Sequence, residues 1–551
     1  MSKTNSSLLP NKQANPIIKR NDNIGTGDAD TDQAFHDACF VEKGDLKVIT
    51  ECEDPRCILL GRTGSGKTAL INEIRNTEEN TIIFSPDILS LKHISNSNII
   101  NFFEDLGVHL DLFYMFLWMH VITVELLKYK YDIESKRSKS DVLTRALAYS
   151  KKKKSKLRAI KYVERYGDEF WQETEERVRE FTEQLETQLK GALGAEFSGV
   201  SAEAGALQKL SKNERVEVIN RAKKVVNDVQ LKELNSLIDL LAEDVFHDTQ
   251  QKYFVLIDNL DGDWADDKIR YRLIKSLIEA IRKFVPIRPL KIVVALRFDL
   301  LQKTISNTKN TGFQEEKYEP LYLHLSWSKS QLEDLLNSRL SHLYKRKYTK
   351  APVTLYQLMP GNQINKSTPV DYILERTFYR PREAIQFINE CLVKSEGQLK
   401  ITLQKVREAE TTYSIKRLRS LCDEWRSNYP NLREYVRLFE RMPEHFQISE
   451  TDKKSIEEFV LNSLSDGGRT QGPIYAYSSK FFEGKMSLDS LILEILRCLY
   501  ITGLIGVKTE PNMPTHWAYS ESTTVSSAQV SFESSFYIHP TFWNAMGVRL
   551  K

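Results

Sequence analysis

Residues Gly61–Thr68 read GRTGSGKT, the sequence of a Walker A phosphate-binding loop. Its glycines permit the positive φ angles that turn successive backbone N–H groups inward around a phosphate, and Lys67 adds a positive charge at the β- and γ-phosphate oxygens. The Thr68 hydroxyl is a candidate ligand for Mg²⁺. An apolar run, Ile58–Leu60, precedes the loop and a helix-forming run, Ala69–Ile71, follows it, as such a loop requires. We therefore expect the chain to bind ATP with Mg²⁺. The residues expected to contact the nucleotide at this loop are Gly61, Arg62, Thr63, Gly64, Ser65, Gly66, Lys67, Thr68 and Ala69.

A carboxylate that could share the metal follows a second apolar run. Tyr253–Ile257 is β-prone and apolar, as in a strand buried on both faces, and Asp258 comes directly after it. Its carboxylate can hold Mg²⁺ directly or through water. The next residue is Asn259, whose amide cannot accept a proton from water, so Asp261 is our candidate for orienting or deprotonating the attacking water, with Asp263 as a second candidate. If Asp261 only caps the following turn, hydrolysis should be slow.

An arginine ends another predicted strand, Leu290–Leu296, which we expect beside the strand that leads into the loop. Arg297 could sense the γ-phosphate, or it could form an ion pair with Asp299 or Asp261. Further along, in the sequence LHLSW, Trp327 is expected to anchor a core rather than to stack on adenine.

Two further arginines flank a proline that suits the first turn of a helix. Pro381 forces the preceding Arg380 into an extended conformation, so Arg380 and Arg382 should project from a helix start. A guanidinium forks onto oxyanions, which suits a lid residue that reaches the γ-phosphate. The alternative is that both arginines pair with local acids, Glu375 and Glu383.

The composition excludes several classes of protein. The chain has 551 residues, of which 41% are hydrophobic and 28% charged, with a net charge of +3, so it should form several globular domains and is no polyelectrolyte. Its six cysteines form no CxxC pair, so neither a zinc site nor a disulfide framework is indicated, and reduced thiols fit a cytoplasmic protein. The N-terminus lacks the apolar core of a signal peptide. The most apolar stretch, Leu112–Leu127, is interrupted by polar residues and too short for a membrane span, so we expect a buried helix.

These patterns predict an α/β fold, a parallel sheet of the P-loop NTPase type with helices on both sides. The predicted strands are Ile58–Leu60, Thr81–Phe84, Tyr253–Ile257, Leu290–Leu296 and Leu321–Leu325. The predicted domains are a mobile tail at 1–33, an ATPase core at 34–330 with a large helical insertion at about 99–251, a helical lid at 331–412, a helical linker region at 413–485 and a winged-helix-like domain at 486–551.

The charges within the predicted insertion are segregated. Lys136–Lys161 carries eleven basic side chains against one acid, and Glu164–Glu186 carries nine acids against three arginines. Two antiparallel helices of opposite charge would attract each other. The alternative is a basic arm that binds nucleic acid or an acidic partner.

The end of the chain has the pattern of a winged helix, in which a helix is followed by a two-stranded wing. The helix is predicted at Leu488–Tyr500 and the strands at Ile505–Thr509 and Ser535–His539. Ser487–Lys551 carries four Lys and Arg against five Asp and Glu, so this module favours a protein contact over DNA.

Taken together, GRTGSGKTAL, IDNLDG, VVALRFDLL, LHLSW and RTFYRPREAIQFINE resemble an uncharacterised family of bacterial P-loop ATPases allied with the KAP and STAND branches of the AAA+-like NTPases. The resemblance spans about residues 35–400 and extends less distinctly to YIHPTF at Tyr537–Phe542. It implies an ASCE-type ATPase core, a helical insertion and a helical lid. KAP and STAND proteins usually have Asp-Asp where this chain has Asp258 and Asn259, a difference that bears on the hydrolysis rate.

The resemblance also implies a role. Relatives often act as regulated switches, and allied groups take part in antiviral defence, so we expect an oligomeric ATP-driven switch with a protein effector as partner. An arginine from a neighbouring subunit commonly completes such sites, and the candidates are Arg270, Arg282 and Arg288. Two alternatives remain: a DNA-acting ATPase of the initiator or loader type, with Lys136–Lys161 as its DNA contact, and a nucleotide-gated scaffold with little turnover.

Overall fold

The computed structural model of the chain describes most of residues 17–84, 110–130, 238–308, 314–347, 352–465, 472–519 and 525–550. Most of the predicted insertion lies outside the described residues. The basic segment Lys136–Lys161, the acidic segment Glu164–Glu186 apart from Glu183, and Asp263 therefore lie outside the described residues.

The described elements follow one another along the chain as short strands and mostly longer helices. The strands are β1 (Ile58–Gly61), β2 (Thr81–Phe84), β3 (Tyr253–Ile257), β4 (Leu290–Arg297), β5 (Tyr322–His324), β6 (His445–Phe446), β7 (Ile505–Lys508) and β8 (Ser535–Ile538). The α-helices are α1 (Gln33–Cys39), α2 (Asp45–Thr50), α3 (Lys67–Thr77), α4 (Asp111–Lys130), α5 (Asp267–Ile281), α6 (Phe298–Thr308), α7 (Lys329–Lys347), α8 (Leu355–Leu358), α9 (Pro369–Leu374), α10 (Pro381–Lys394), α11 (Leu403–Glu424), α12 (Leu432–Arg437), α13 (Lys453–Ser465), α14 (Pro473–Phe482), α15 (Leu488–Thr502) and α16 (Trp543–Met546). Single 3₁₀ or π turns occur at Leu241–Val245, Arg282–Phe284, Glu315–Lys317, Glu319–Leu321, Ile448–Glu450 and Pro540–Phe542.

The chain divides into two compact units, which we describe separately. The sheet unit comprises the described residues of Glu42–Arg62 and Lys67–Leu325. The helical unit comprises those of Met1–Val41, Thr63–Gly66 and Ser326–Lys551. The predicted core ended at 330, close to this division, but residues 34–41 and the middle of the Walker A sequence belong to the helical unit.

The sheet unit contains a five-stranded parallel sheet in the order β2-β3-β4-β1-β5. Every residue of β3 and all but the last of β4 are buried, which explains their continuous apolar sequences, since helices cover both faces of a parallel sheet. The prediction that the strand ending in Arg297 lies beside the strand leading into the loop is confirmed, because β4 pairs with β1.

The most apolar helix, α4, belongs to the core of the sheet unit. Trp118 and Met119 are buried, and the Trp118 indole donates a hydrogen bond of 2.9 Å to the carbonyl of Leu273 in α5. The prediction of a buried helix is thus confirmed. Within the described part of the chain, no helix combines the length and the apolar character that crossing a membrane requires.

The predicted mobile tail is wrong for its second half. Ile18 and Ile24 are fully buried in a cluster formed with α7 to α11, and the backbone N–H of Ile24 donates to the Asn389 side chain at 2.9 Å. Asp32 forms a buried ion pair with Arg339. This stretch has few apolar residues, so its composition resembles that of a mobile tail. Those few apolar residues nevertheless insert into the core, and its polar groups form hydrogen bonds and an ion pair there.

A second cluster in the helical unit joins two regions that the sequence separated. Leu432, Val436 and Ile456, from the predicted linker region, share a core with α15, β7 and β8. The small antiparallel sheet has the order β6-β8-β7, so its third strand, β6, also comes from the linker region. The division between 413–485 and 486–551 is therefore wrong, because neither segment has a separate core. The predicted pattern of a helix followed by two strands covers only α15, β7 and β8, and omits β6.

A buried histidine lies at the edge of this core. His539 contacts the Tyr519 hydroxyl through Nε2 at 2.9 Å and the Thr541 hydroxyl through Nδ1 at 2.9 Å, and its ring lies edge-on to Phe378. Burial lowers the pKa of His539 well below its ordinary value, and the nearby positive charges of Arg376, Arg417 and Arg380 lower it further. His539 is therefore neutral in the folded protein.

We predict that His539 makes the fold sensitive to mild acid. The unfolded chain takes up a proton at this position below about pH 6.5 while the folded chain does not, so its contribution to stability is lost as the pH falls. Glutamine at position 539 does not titrate, so the His539→Gln variant takes up no proton at this position in either state. The difference in free energy of unfolding between wild type and His539→Gln should shrink by about 1 kcal/mol as the pH falls from 7.5 to 5.5. Denaturant titration of both proteins at both pH values measures this difference. A difference that does not change with pH would contradict a neutral, buried His539.

Candidate functional site

The Walker A sequence adopts the strand–loop–helix arrangement that was predicted. β1 ends at Gly61 and α3 begins at Lys67, so the intervening residues form a loop at the carboxyl end of a parallel strand. Gly64 and Gly66 have φ angles of 78° and 101°, in the region that favours glycine. The loop leads directly into the N-terminus of α3, where the helix dipole favours an anion.

Within the sheet unit, the Lys67 ammonium lies over the end of β1. Its Nζ donates to the carbonyls of Gly61 at 3.0 Å and Arg62 at 3.2 Å. Burial lowers the pKa of Lys67 to about 8, although the nearby carboxylates of Asp261 and Asp258 act in the opposite direction. A partly desolvated cation close to two carboxylates is suited to a polyanion that arrives with a divalent metal.

The end of β3 brings Asp258 to the start of α3. Burial raises the pKa of Asp258, while hydrogen bonds from the Asn259 N–H and the Thr68 hydroxyl and the charge of Lys67 oppose that rise. A hydroxyl, a carboxylate and an ammonium therefore converge from β1 and β3, although β4 lies between these strands. Thr68 and Asp258 together offer the two oxygens that could hold Mg²⁺. Among the described residues, no group of three or more His, Cys, Asp or Glu side chains is arranged to hold a metal without a further ligand.

Arg297, at the end of β4, pairs with both acids that the sequence offered. It lies opposite Gly61 in the neighbouring strand. Its Nε and Nη2 donate to the Asp299 carboxylate at 3.0 and 2.7 Å, and its Nη1 donates to Asp261 at 3.2 Å. Both ion pairs are thus present, and contact with a γ-phosphate stays a prediction. Asp261 is thus held by Arg297, and α5 begins six residues later, at Asp267.

The residue after Asp258 has a backbone conformation that sequence reasoning missed. Asn259 has a φ of 60°, and its N–H donates to its neighbour's carboxylate at 2.7 Å. Asparagine is among the few residues that tolerate this left-handed region. The Asn in the sequence IDNLDG is the signal that marks this conformation.

Within the helical unit, the loop residues Thr63–Gly66 contact Trp327 and Arg380. The Trp327 indole donates from Nε1 to the carbonyl of Ser65 at 2.8 Å. Arg380 donates from Nη1 to the carbonyl of Thr63 at 3.1 Å. Trp327 packs against the core of the helical unit, as expected of a core anchor.

The two arginines beside Pro381 differ in exposure. Arg380 is extended, with φ −113° and ψ 137°, as the proline predicted, but it is buried rather than projecting, and it pairs with Glu383 and Glu424 at 3.5 Å each. Glu424 is far from Arg380 in sequence, so no local pattern could have identified it.

Arg382 is partly exposed and lies against the loop backbone. Its Nε donates to the carbonyl of Gly27 at 3.0 Å, and its guanidinium is 3.8 Å from Asp28. A Cβ atom on Gly64 would lie 2.8 Å from the Arg382 Cβ. The alternative pairing with Glu375 and Glu383 therefore does not describe Arg382, whose acid is Asp28 from the N-terminal segment.

One comparison with known families matches part of this region. Residues 330–422 match a family described as a FunZ-associated C-terminal helical domain. The match runs from α7 to near the end of α11, so it includes Arg380 and Arg382 but not the loop at 61–68. The chain therefore contains a C-terminal helical domain similar to that family. No curated protein matches the chain.

The close approach of Arg382 gives a prediction for Gly64. Gly64→Ala adds a methyl group where the backbone has positive φ and where Arg382 leaves only 2.8 Å. Gly44→Ala is a matched control, because Gly44 has a φ of 91° but nothing within 4 Å of the added methyl group. We expect Gly64→Ala to reduce the free energy of unfolding by about 1–3 kcal/mol more than Gly44→Ala, the cost of overpacking. Chemical denaturation measures both, and equal losses would contradict the contact.

Proposed function

We propose that this protein is a Mg²⁺-dependent ATPase that binds the phosphates of ATP at the loop Gly61–Thr68. The observation that carries the proposal is the convergence of Lys67, Thr68 and Asp258 at the carboxyl edge of a parallel sheet. The strand order supports it, because β4 lies between the strand before the loop and the strand before the carboxylate, pairs with both and ends with Arg297.

Each polar group has a distinct task in the proposed reaction. The loop N–H groups and the Lys67 ammonium hold the β- and γ-phosphates and offset their negative charge. Mg²⁺, when bound, would be held by Thr68 and Asp258 and would supply further neutralisation of the phosphate oxygens. The site residues fit such an ion, since hydroxyl and carboxylate oxygens are the ligands it prefers.

Asp261 is the proposed general base for hydrolysis. Water attacks the γ-phosphorus, the bond from that phosphorus to the ADP oxygen breaks, and the proton lost by water passes to the Asp261 carboxylate. Arg297 holds that carboxylate at 3.2 Å and is itself fixed by Asp299, so the base has a defined position. The same ion pair also supports a second candidate function, a nucleotide-gated scaffold, because an Asp261 carboxylate that is engaged by Arg297 has fewer oxygen lone pairs left to accept a hydrogen bond from the attacking water.

The wider role rests on the resemblance and on the sequence. An oligomeric switch with a protein effector, a part in antiviral defence and an arginine supplied in trans are expectations of that kind. Within the sheet unit, Arg270 is already engaged, since its Nη1 donates to the Gly262 carbonyl at 2.7 Å. The DNA-acting alternative depends on Lys136–Lys161, outside the described residues.

Replacing Lys67 by Ala should abolish turnover and weaken ATP binding. Removal of the ammonium leaves the phosphates without their nearest cation, and we expect Mg·ATP affinity to fall on the order of 100-fold, the effect of losing about 3 kcal/mol. Isothermal titration calorimetry and phosphate release measure the two effects. Lys291→Ala is the matched control, because Lys291 is a buried lysine that also donates to two carbonyls, those of Glu51 and Asp54, at the other end of the sheet. The control should lose stability and keep affinity, and wild-type affinity in Lys67→Ala would overturn the assignment.

Asp261→Asn should separate binding from hydrolysis. The amide keeps the size of the side chain but cannot take the proton, so we expect kcat to fall about 100-fold or more while the affinity for Mg·ATP changes little. Asp299→Asn is the control, since it also removes a partner of Arg297 but no proposed base, and its kcat should fall less than about tenfold. An unchanged kcat in Asp261→Asn would exclude this residue as the base. Tight binding without turnover in the wild type would favour the scaffold.

A further inference from the structure

The carbonyl groups of the phosphate loop have partners that the sequence did not predict. A loop whose N–H groups converge on an anion must turn its carbonyls away from that anion. In the helical unit two of these carbonyls accept hydrogen bonds from side chains: Thr63 from Arg380 at 3.1 Å and Ser65 from Trp327 at 2.8 Å. The loop conformation thus depends on residues more than 260 positions away, since Trp327 is 262 positions from Ser65 in the sequence.

Trp327 constrains the loop in two ways. Its indole N–H fixes the Ser65 carbonyl, and its ring lies 3.7 Å from the position that a Cβ atom on Gly66 would occupy. The ring therefore packs against the face of the glycine that precedes Lys67. Because Gly66 has a φ of 101°, a conformation that few other residues adopt, this contact supports a backbone that the loop needs to turn its N–H groups inward.

Arg380 is itself held in place. Its guanidinium lies 5.0 Å from the centre of the Phe378 ring and within 3.5 Å of Glu383 and Glu424. The preceding residue, Tyr379, has a φ of 51°, which is an outlier for a bulky side chain, and the following Pro381 fixes the backbone on the other side. Arg380 therefore presents one donor to the loop from a fixed backbone.

We propose that Trp327 and Arg380 are positioning residues of the phosphate loop: they hold the Ser65 and Thr63 carbonyls so that the loop N–H groups converge on phosphate before ATP arrives. This inference rests on the proposed function of the loop and assigns Arg380 a task other than contact with the γ-phosphate. Its physical basis is preorganisation, since a loop already fixed in its binding conformation loses less conformational entropy when the ligand binds.

Trp327→Phe tests the inference most cleanly. Phenylalanine keeps an aromatic ring against Gly66 but removes the N–H, so one hydrogen bond of about 1 kcal/mol is lost and the Kd for Mg·ATP should rise roughly fivefold to tenfold. If Trp327 only stacked on adenine, the Trp327→Phe variant would keep the wild-type affinity for Mg·ATP. Trp543→Phe is the matched control, because the Trp543 indole donates to the Ile538 carbonyl at the same 2.8 Å, far along the chain from the loop.

The control separates positioning from stability. Both tryptophan variants should lower the thermal midpoint of the nucleotide-free protein to a similar extent, but only Trp327→Phe should weaken Mg·ATP binding in calorimetry. Equal affinities of wild type, Trp327→Phe and Trp543→Phe would overturn the inference. Wild type and Lys67→Ala are titrated in the same series. If the wild type binds no Mg·ATP, the proposed function fails. If Lys67→Ala weakens the binding of Mg·ATP and Trp327→Phe leaves it unchanged, only the positioning role is refuted.

Arg380 provides a second, independent arm. Arg380→Met should raise the Kd for Mg·ATP by roughly tenfold, and Arg380→Lys, which keeps a charged donor, should restore part of that loss. Arg497→Met is the control, because Arg497 also donates to a backbone carbonyl, that of Val530 at 3.0 Å, and pairs with an acid. If Arg380→Met does not fold, Arg380→Lys and Trp327→Phe decide. Wild-type affinity in both would refute the role.

Discussion

The proposed site depends on one electrostatic arrangement, in which the Thr68 hydroxyl and the Lys67 ammonium meet the partly buried carboxylate of Asp258. Two parallel strands deliver these groups, and the strand between them, β4, contributes Arg297. Each group is costly to bury alone, because a desolvated charge needs a partner. Asp258 responds to burial with a raised pKa and Lys67 with a lowered one, as expected of charges removed from water. A metal complex of a polyphosphate would satisfy both groups at once.

Within the helical unit, the backbone of Thr63–Gly66 is constrained by side chains from distant parts of the sequence. Trp327 and Arg380 hold carbonyls within Thr63–Gly66, and Arg380 belongs to a buried charged network in which Arg417 donates to Glu383 at 2.8 Å. The same network borders Phe378 and His539, next to the small sheet β6-β8-β7. The loop that is proposed to bind phosphate is therefore continuous, through packed side chains, with the C-terminal core of the helical unit.

Local sequence patterns predicted the central elements well. The strands Thr81–Phe84 and Tyr253–Ile257 were predicted with the bounds that the structure has, because a run of apolar β-prone residues is legible without knowledge of its neighbours. Contacts between distant segments were not legible. The N-terminal segment has a polar composition, yet Ile18 and Ile24 are buried, and the partner of Arg380 at Glu424 depends on how α10 and α11 pack. The candidate carboxylate and hydroxyl came from motifs, whereas the residues that hold the loop came only from tertiary structure.

The proposed role of Thr68 and Asp258 is tested by the dependence of ATP affinity on Mg²⁺. Calorimetric titration of ATP with and without Mg²⁺ should give a markedly smaller Kd with the metal in the wild type, because these two residues are proposed to hold the ion beside the phosphates. In Asp258→Asn that enhancement should disappear while metal-free ATP still binds through Lys67. Equal affinities with and without Mg²⁺ in the wild type, or an undiminished enhancement in Asp258→Asn, would contradict the account.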